Sequence, residues 1–281
     1  MRPLAELAAR VWRTREGRIG LVIVVAVVLF ALFGPLLAPD PNKIDVTARF
    51  LTPSPAHVLG TDNLGRDLLA RIAAGTRVAL LVALAVVVTS FAVGSAVGIV
   101  AGLAGGWLER GILAVFDVIS AFPVLILAFA LVALYGTGYL NLLLVVTVIF
   151  VPQFGRMARA RTLALRHQSF IEAERLLGLS PIKIVLRHFL PNVAGPLIVL
   201  ASMNVPVVIT VEAGLSFLGL GVQPPASSLG TLIKDGYIYL DQSWWPTIGA
   251  AGVLAVTTLG ATLFGEALRQ AIDPKLRSAH P

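Results

Sequence analysis

The stretch Phe170-Ile-Glu-Ala-Glu-Arg-Leu-Leu-Gly-Leu-Ser-Pro-Ile-Lys-Ile-Val-Leu-Arg-His-Phe-Leu-Pro-Asn192 carries helix grammar twice. Residues 170–177 are good helix formers with Phe170, Ala173 and Leu177 on one face. Gly178 is a stop signal, because a residue without a Cβ takes the left-handed conformation freely. Ser180 then reads as an N-cap and Pro181 as the first residue of a second helix. Ile182, Val185, Leu186 and Phe189 recur at i, i+3, i+4 and i+7, Lys183 and Arg187 share a polar side, and Pro191 is expected to end the helix. The result is helix, tight turn, helix. From shape alone, such a hairpin is equally a connector or a docking element.

On both sides of the hairpin the chain is apolar for long distances. Of 281 residues, 57% are hydrophobic and 13% charged, against ~25% charged in a soluble domain. Mean hydropathy is +0.87. A bilayer core of ~30 Å needs ~20 apolar helical residues. Windows of that kind cover 19–39, 78–108, 112–135, 140–155, 189–211 (entered at Pro196) and 242–265. The third and fourth are separated by Tyr135-Gly-Thr-Gly-Tyr139, an interfacial turn. Trp244 and Trp245 anchor the sixth. The expectation is an all-α polytopic membrane protein with six transmembrane helices.

Charge sets the orientation. With the N-terminus cytoplasmic, 16 of the 22 Lys and Arg residues fall inside and six (Lys43, Arg49, Arg66, Arg71, Arg77, Lys234) outside. Net charge is +7, and in such a chain it marks cytoplasmic loops rather than nucleic-acid binding. The first span reads as a retained anchor, with a cleaved signal as the less favoured alternative. There is no cysteine, hence no disulfide or thiolate metal site.

Several features read as structural. Ser90, Gly94, Gly98 and Gly102 form a small-residue stripe that admits a close helix, in this chain or another. Pro123, Pro152 and Pro206 predict kinks within spans. Residues 60–71 are expected to form a short amphipathic helix with Asp62/Arg66 and Asp67/Arg71 paired four apart, either with Leu64, Leu68 and Ile72 resting on the membrane interface or as a solvated surface helix. Asp117 and Glu212 are the notable acids within spans. They are pathway or gating candidates, or they hydrogen-bond within the bundle.

The hairpin sequence resembles the EAA loop of ATP-binding-cassette (ABC) importer permeases, which has the form EAA, three residues, G, nine residues, I, one residue, LP. Glu172, Ala173, Gly178, Leu190 and Pro191 fit; Glu174 replaces the second alanine and His188 the isoleucine. A His before a hydrophobic residue and Leu-Pro-Asn is usual in the peptide/nickel branch. Also similar to that branch, in order, are Gly60-Thr-Asp62, Leu64-Gly-Arg-Asp67, Arg77, Asp117 with Phe122-Pro123, and Glu212 with Leu215-Ser-Phe-Leu-Gly-Leu-Gly221. Pro224-Pro225 and Asp273-Pro-Lys-Leu-Arg277 complete the series. The short N-terminus points to the second, C-type permease of dipeptide and oligopeptide systems.

The resemblance implies a type I ABC importer (MetI-like) fold. Its parts would be a cytoplasmic segment 1–18, a first helix 19–38, an extracytoplasmic segment 39–76, a five-helix domain 77–269 with the hairpin at 170–191, and a cytoplasmic tail 270–281. It implies a sister permease, two cytoplasmic ATPases that hold ATP and Mg, and an extracytoplasmic binding protein, in a bacterial plasma membrane. Substrates would be di- or oligopeptides, or nickel- or glutathione-like compounds. Coupling would rest on Glu172, Ala173, Gly178, Ser180, Pro181, Val185, Leu186, Leu190 and Pro191, with the charge of Glu174 of little weight. No cofactor or metal is expected on this chain.

The sequence has no P-loop, since none of the four lysines precedes Ser or Thr, and no His-Glu-x-x-His or Gly-x-Ser-x-Gly. An enzyme is therefore not expected. The rival reading is an ion-coupled secondary transporter using Asp117 and Glu212.

Overall fold

In the computed structural model, residues 9–272 are described, and among them there is no strand, only one isolated bridge between Thr61 and Asp67. Arg2, the Asp273–Arg277 motif and His280 lie outside the described residues. We number the helices α1 Arg15–Leu37, α2 Leu68–Ala104, α3 Gly106–Ser120, α4 Val124–Tyr135, α5 Tyr139–Arg166, α6 Ser169–Leu176, α7 Pro181–Ile184, α8 Leu190–Phe217, α9 Leu229–Ile238 and α10 Trp245–Ile272. Five helices are long and apolar enough to cross a membrane, and α3 with α4 forms a sixth, bent candidate.

The bundle is organised around α2. At ~1.5 Å per residue, its 37 residues span about 55 Å, more than a bilayer core. Its small-residue stripe lies against α5 of the same chain. An added Cβ at Gly98 would stand 2.2 Å from the Gly155 carbonyl oxygen, and one at Gly102 2.8 Å from the Thr162 side chain. Val82, Val86, Phe150, Phe154, Leu197 and Ile209 fill the core between α2, α5 and α8. The first helix adds to one side, with Gly20 against Leu263 and Phe264 of α10 and Gly34 against Ala73 of α2.

Three expectations need correction. The third span is not one helix: α3 and α4 meet at 97°, and Pro123 is the N-cap of α4 rather than a kink within a span. Pro123 has no N–H to continue the α3 ladder and disfavours helix at Phe122, so the chain breaks there. Second, Pro191 does not end the hairpin's second arm. Residues Val185–Phe189 form a π-helical turn that runs directly into α8, and α8 continues through Pro196 and Pro206. A π turn is wider than an α turn and relieves the clash between a proline ring and the preceding carbonyls.

Third, 60–67 is a turn, not an amphipathic helix. Gly60 and Gly65 have positive φ (77° and 73°), and α2 starts only at Leu68, with the Asp67 carboxylate accepting from the Ala70 N–H at 2.8 Å. Leu68 and Ile72 are buried in the core instead of lying on the membrane interface. Elsewhere the helices run past the apolar windows: α2 begins at Leu68 rather than 78, α5 runs to Arg166 rather than 155, and α10 to Ile272 rather than 265. Gly136 and Gly138, both at positive φ, separate α4 from α5, and the stacked rings of Trp244 and Trp245 stand 4.3 Å apart at the start of α10.

Candidate functional site

The hairpin closes at Gly178, whose φ is +78°. Leu179 donates its N–H to the Glu174 carbonyl at 3.1 Å and Leu177 donates to Ala173 at 3.0 Å, so the left-handed glycine satisfies the last carbonyls of α6. Ser180 accepts weakly from the Lys183 N–H, at 3.4 Å, and opens α7 at Pro181. Ile184 and Phe189, five residues apart as a π turn requires, are buried together with Ile171. This small core packs on Leu103 at the end of α2 and Leu165 at the end of α5, with Val185 partly buried beside it.

The side turned away from that core is apolar and uncovered. Leu176 is 89% exposed, Leu177 79%, Ile182 72% and Leu186 59%. The π turn explains the split. It breaks the i, i+3, i+4, i+7 series, leaving Ile182 and Leu186 outside while Phe189 turns in. Glu172 and Ala173 are also exposed, and Leu190 stands at the start of α8.

Sequence reasoning missed a contact between the arms. His188 Nε2 lies 2.7 Å from Glu174 Oε2, and the His188 ring tilts against Phe170 with centroids 5.6 Å apart. Fourteen positions separate the pair, so no helical spacing announces it.

Asp117 and Glu212 occupy different halves of the bundle. Asp117, 68% exposed, pairs with Arg156 at 3.1 Å, and the same guanidinium donates to the Phe116 carbonyl and Ser120 Oγ, each at 3.0 Å. Arg159 Nε donates to Glu109 at 2.6 Å and Arg166 to the Gly102 carbonyl at 3.2 Å. Three arginines of α5 thus tie down α3 and the end of α2. Glu212 is fully buried near the other end of α8. Its Oε1 accepts from Ser216 Oγ at 2.7 Å, and Ser216 Oγ accepts from the Val222 N–H at 3.2 Å, which pins the loop after α8.

At that same end a charged knot joins the 38–67 segment to α2. Asp62 takes Arg66 Nε at 2.7 Å and the Arg71 guanidinium, and His57 Nδ1 lies 2.9 Å from Asp67. Arg71 thus pairs with Asp62 rather than with Asp67. No cluster of three or more His, Cys or acidic residues that could hold a metal occurs among the described residues.

Comparison with known proteins follows the same lines. Residues 94–278 match the family described as binding-protein-dependent transport system inner membrane component, and residues 8–53 the N-terminal TM domain of oligopeptide transport permease C. A putative peptide transport system permease protein of Brucella suis is 36% identical, over 98% of this chain and 93% of that one. The dipeptide transport system permease protein DppC of Alkalihalophilus pseudofirmus is 33% identical over 98% and 91%. The probable D,D-dipeptide transport system permease protein DdpC of Escherichia coli is 36% identical over 90% and 86%. Among solved structures, a chain of the MetNI methionine ABC transporter in an inward-facing conformation aligns with TM-score 0.54 and 20% identity, over 75% of this chain and 97% of that one. That likeness concerns the fold. With its hairpin, its all-helical bundle and two matching family segments, the chain belongs to the binding-protein-dependent transport system inner membrane components and is an ABC transporter permease.

Proposed function

We propose that this permease pairs with a different, sister permease to form the path for di- or oligopeptides, the substrates named for its relatives. It sits in a bacterial plasma membrane with both termini cytoplasmic. Two cytoplasmic ATPase subunits bind ATP and Mg and dock on the hairpin, an extracytoplasmic binding protein delivers substrate, and this chain catalyses nothing itself. The supporting observation is the apolar tip formed by Leu176, Leu177, Ile182 and Leu186. Leu176 and Leu177 lie outside every candidate span, and Ile182 and Leu186 at the very start of the one that continues through α8, so the four form the sort of patch that a protein partner covers.

The route inward is physical. Movement at the tip reaches α2 and α5 through Ile171, Ile184 and Phe189, and α8 through the continuous second arm. ATP-driven contacts at one end would thereby bias a bundle with two arrangements. Asp117 is held by Arg156, and Glu212 Oε1 accepts from Ser216 while its buried Oε2 has no partner among the described residues. The relatives, which are peptide transport permeases, support the ABC reading over ion coupling.

Gly178→Leu tests the coupling role. No atom lies within 4 Å of an added Cβ there, so the cost is conformational, ~1–2 kcal/mol for a side chain at positive φ. The spans are untouched. The variant should reach the membrane at normal level, yet lose ATPase co-purification or the stimulation of ATP hydrolysis by the binding protein. Normal values of both would make the hairpin a connector.

A further inference from the structure

We infer that Glu174 and His188 act as a positioning clasp that fixes the spacing of the two hairpin arms, and with it the geometry of the apolar tip. The inference rests on the coupling role proposed above. Glu174 stands on α6, and its own backbone carbonyl is the acceptor that closes the Gly178 turn. His188 stands in the π turn leading into α8, where its carbonyl accepts from Asn192 Nδ2 at 2.7 Å. The 2.7 Å contact joins the first arm to the base of the span. Both side chains are about four-fifths buried, at 20% and 21% exposure, with Phe170 covering the imidazole. A partly buried contact of this kind resists separation more than an exposed ion pair does.

Among the described residues, the tip is also held from behind by apolar packing of Ile171, Ile184 and Phe189. Such packing is non-directional and permits the arms to slide, whereas a direct polar contact at 2.7 Å favours one register. The two residues are also the two at which the sequence departs from the EAA pattern, and they touch each other. A small residue at 174 with an aliphatic at 188 would fill the same gap by apolar contact. In this chain a polar pair does so, and either partner alone is left mostly buried and unmatched.

The test is a double-mutant cycle in the intact transporter, reconstituted with its ATPases and with the binding protein purified from the same cells. The readout is the ratio of binding-protein-stimulated to basal ATP hydrolysis, which does not depend on how much active protein is present. Contrary to the expectation from the sequence that the Glu174 charge carries little weight, Glu174→Ala and His188→Ile should each lower the ratio, on the order of fivefold. The double variant should recover to near the wild-type ratio. Single variants at the wild-type ratio, or a double variant that loses the product of the two single losses, would overturn the clasp. A Gly178→Leu arm separates the underlying reading: if it keeps the wild-type ratio, the coupling role fails, and if it alone loses the ratio, only the clasp does.

Discussion

Asp62 gathers more partners than any other carboxylate of the 38–67 segment. Oδ1 accepts from the N–H groups of Leu64 at 2.8 Å and Arg66 at 3.0 Å, while Oδ2 faces the Arg66 and Arg71 guanidinium groups. Burial pushes this carboxyl up, but the hydrogen bonds and Arg71 together outweigh it and hold the group below its ordinary 3.8. A carboxyl lowered in the folded state contributes stability that is present above 3.8 and is lost as pH falls through its folded value. Asp235 runs the other way. Burial raises it, so its protonation on acidification relieves a cost. Asp62→Asn should therefore melt earlier than wild type at neutral pH, with the difference shrinking below pH 3.8, read by thermal unfolding in detergent. A pH-independent difference would mean that the carboxylate charge is not what stabilises. The four-apart spacing made the Asp62–Arg66 pair legible in the sequence, but the same spacing misled on conformation. Asp62-Asn-Leu-Gly65 is turn chemistry, with an Asx-type carboxylate and a glycine at φ 73°, and that outweighs one favourable helical pair.

At the scale of elements, contact between helices decides most. The stripe on α2 meets α5 so closely that an added Cβ at Gly98 stands 2.2 Å from the Gly155 carbonyl oxygen and 2.9 Å from the Ala158 side chain. A backbone atom cannot swing away as a side chain can, so Gly98→Ala must part the two helices. It should cost ~1–3 kcal/mol by overpacking, despite the gain in helix propensity. Gly111→Ala in α3, with nothing within 4 Å, should be neutral or stabilising by up to ~1 kcal/mol. Unfolding midpoints of the two purified variants check both, and equal midpoints would deny the close approach. The stripe was visible from four-residue spacing alone, although not which helix it met. The break between α3 and α4 carried signals that length concealed. Glu109, Arg110 and Asp117 make α3 amphipathic, and Pro123 follows, yet 112–135 matches a span in extent. The π turn carried none, because its apolar residues fit an α-helical period equally well.

For the whole molecule, the charge distribution and the architecture agree on an axis. The hairpin, the α5 arginines 156, 159 and 166, and the first residues of α1 lie toward one end of the bundle, while the 38–67 segment and the loop after α8 lie toward the other. The antiparallel run of α1 and α2 fixes this. Gly20 near the start of α1 meets Phe264 near the end of α10, and Gly34 near its end meets Ala73 near the start of α2. Once either end is assigned a side of the membrane, every other segment follows. Lys and Arg are retained on the cytoplasmic side during insertion, and 13 of the 19 within the described residues belong to segments at the hairpin end. That end also carries the apolar tip, the surface on which the proposed ATPase docking rests. A chain with no native cysteine permits a direct test. In intact cells, or in spheroplasts where an outer membrane is present, an impermeant maleimide should label Ser54→Cys and leave Arg13→Cys untouched until the membrane is opened. The reverse pattern would place the hairpin outside, away from ATP, and would sink both the orientation and the coupling role together.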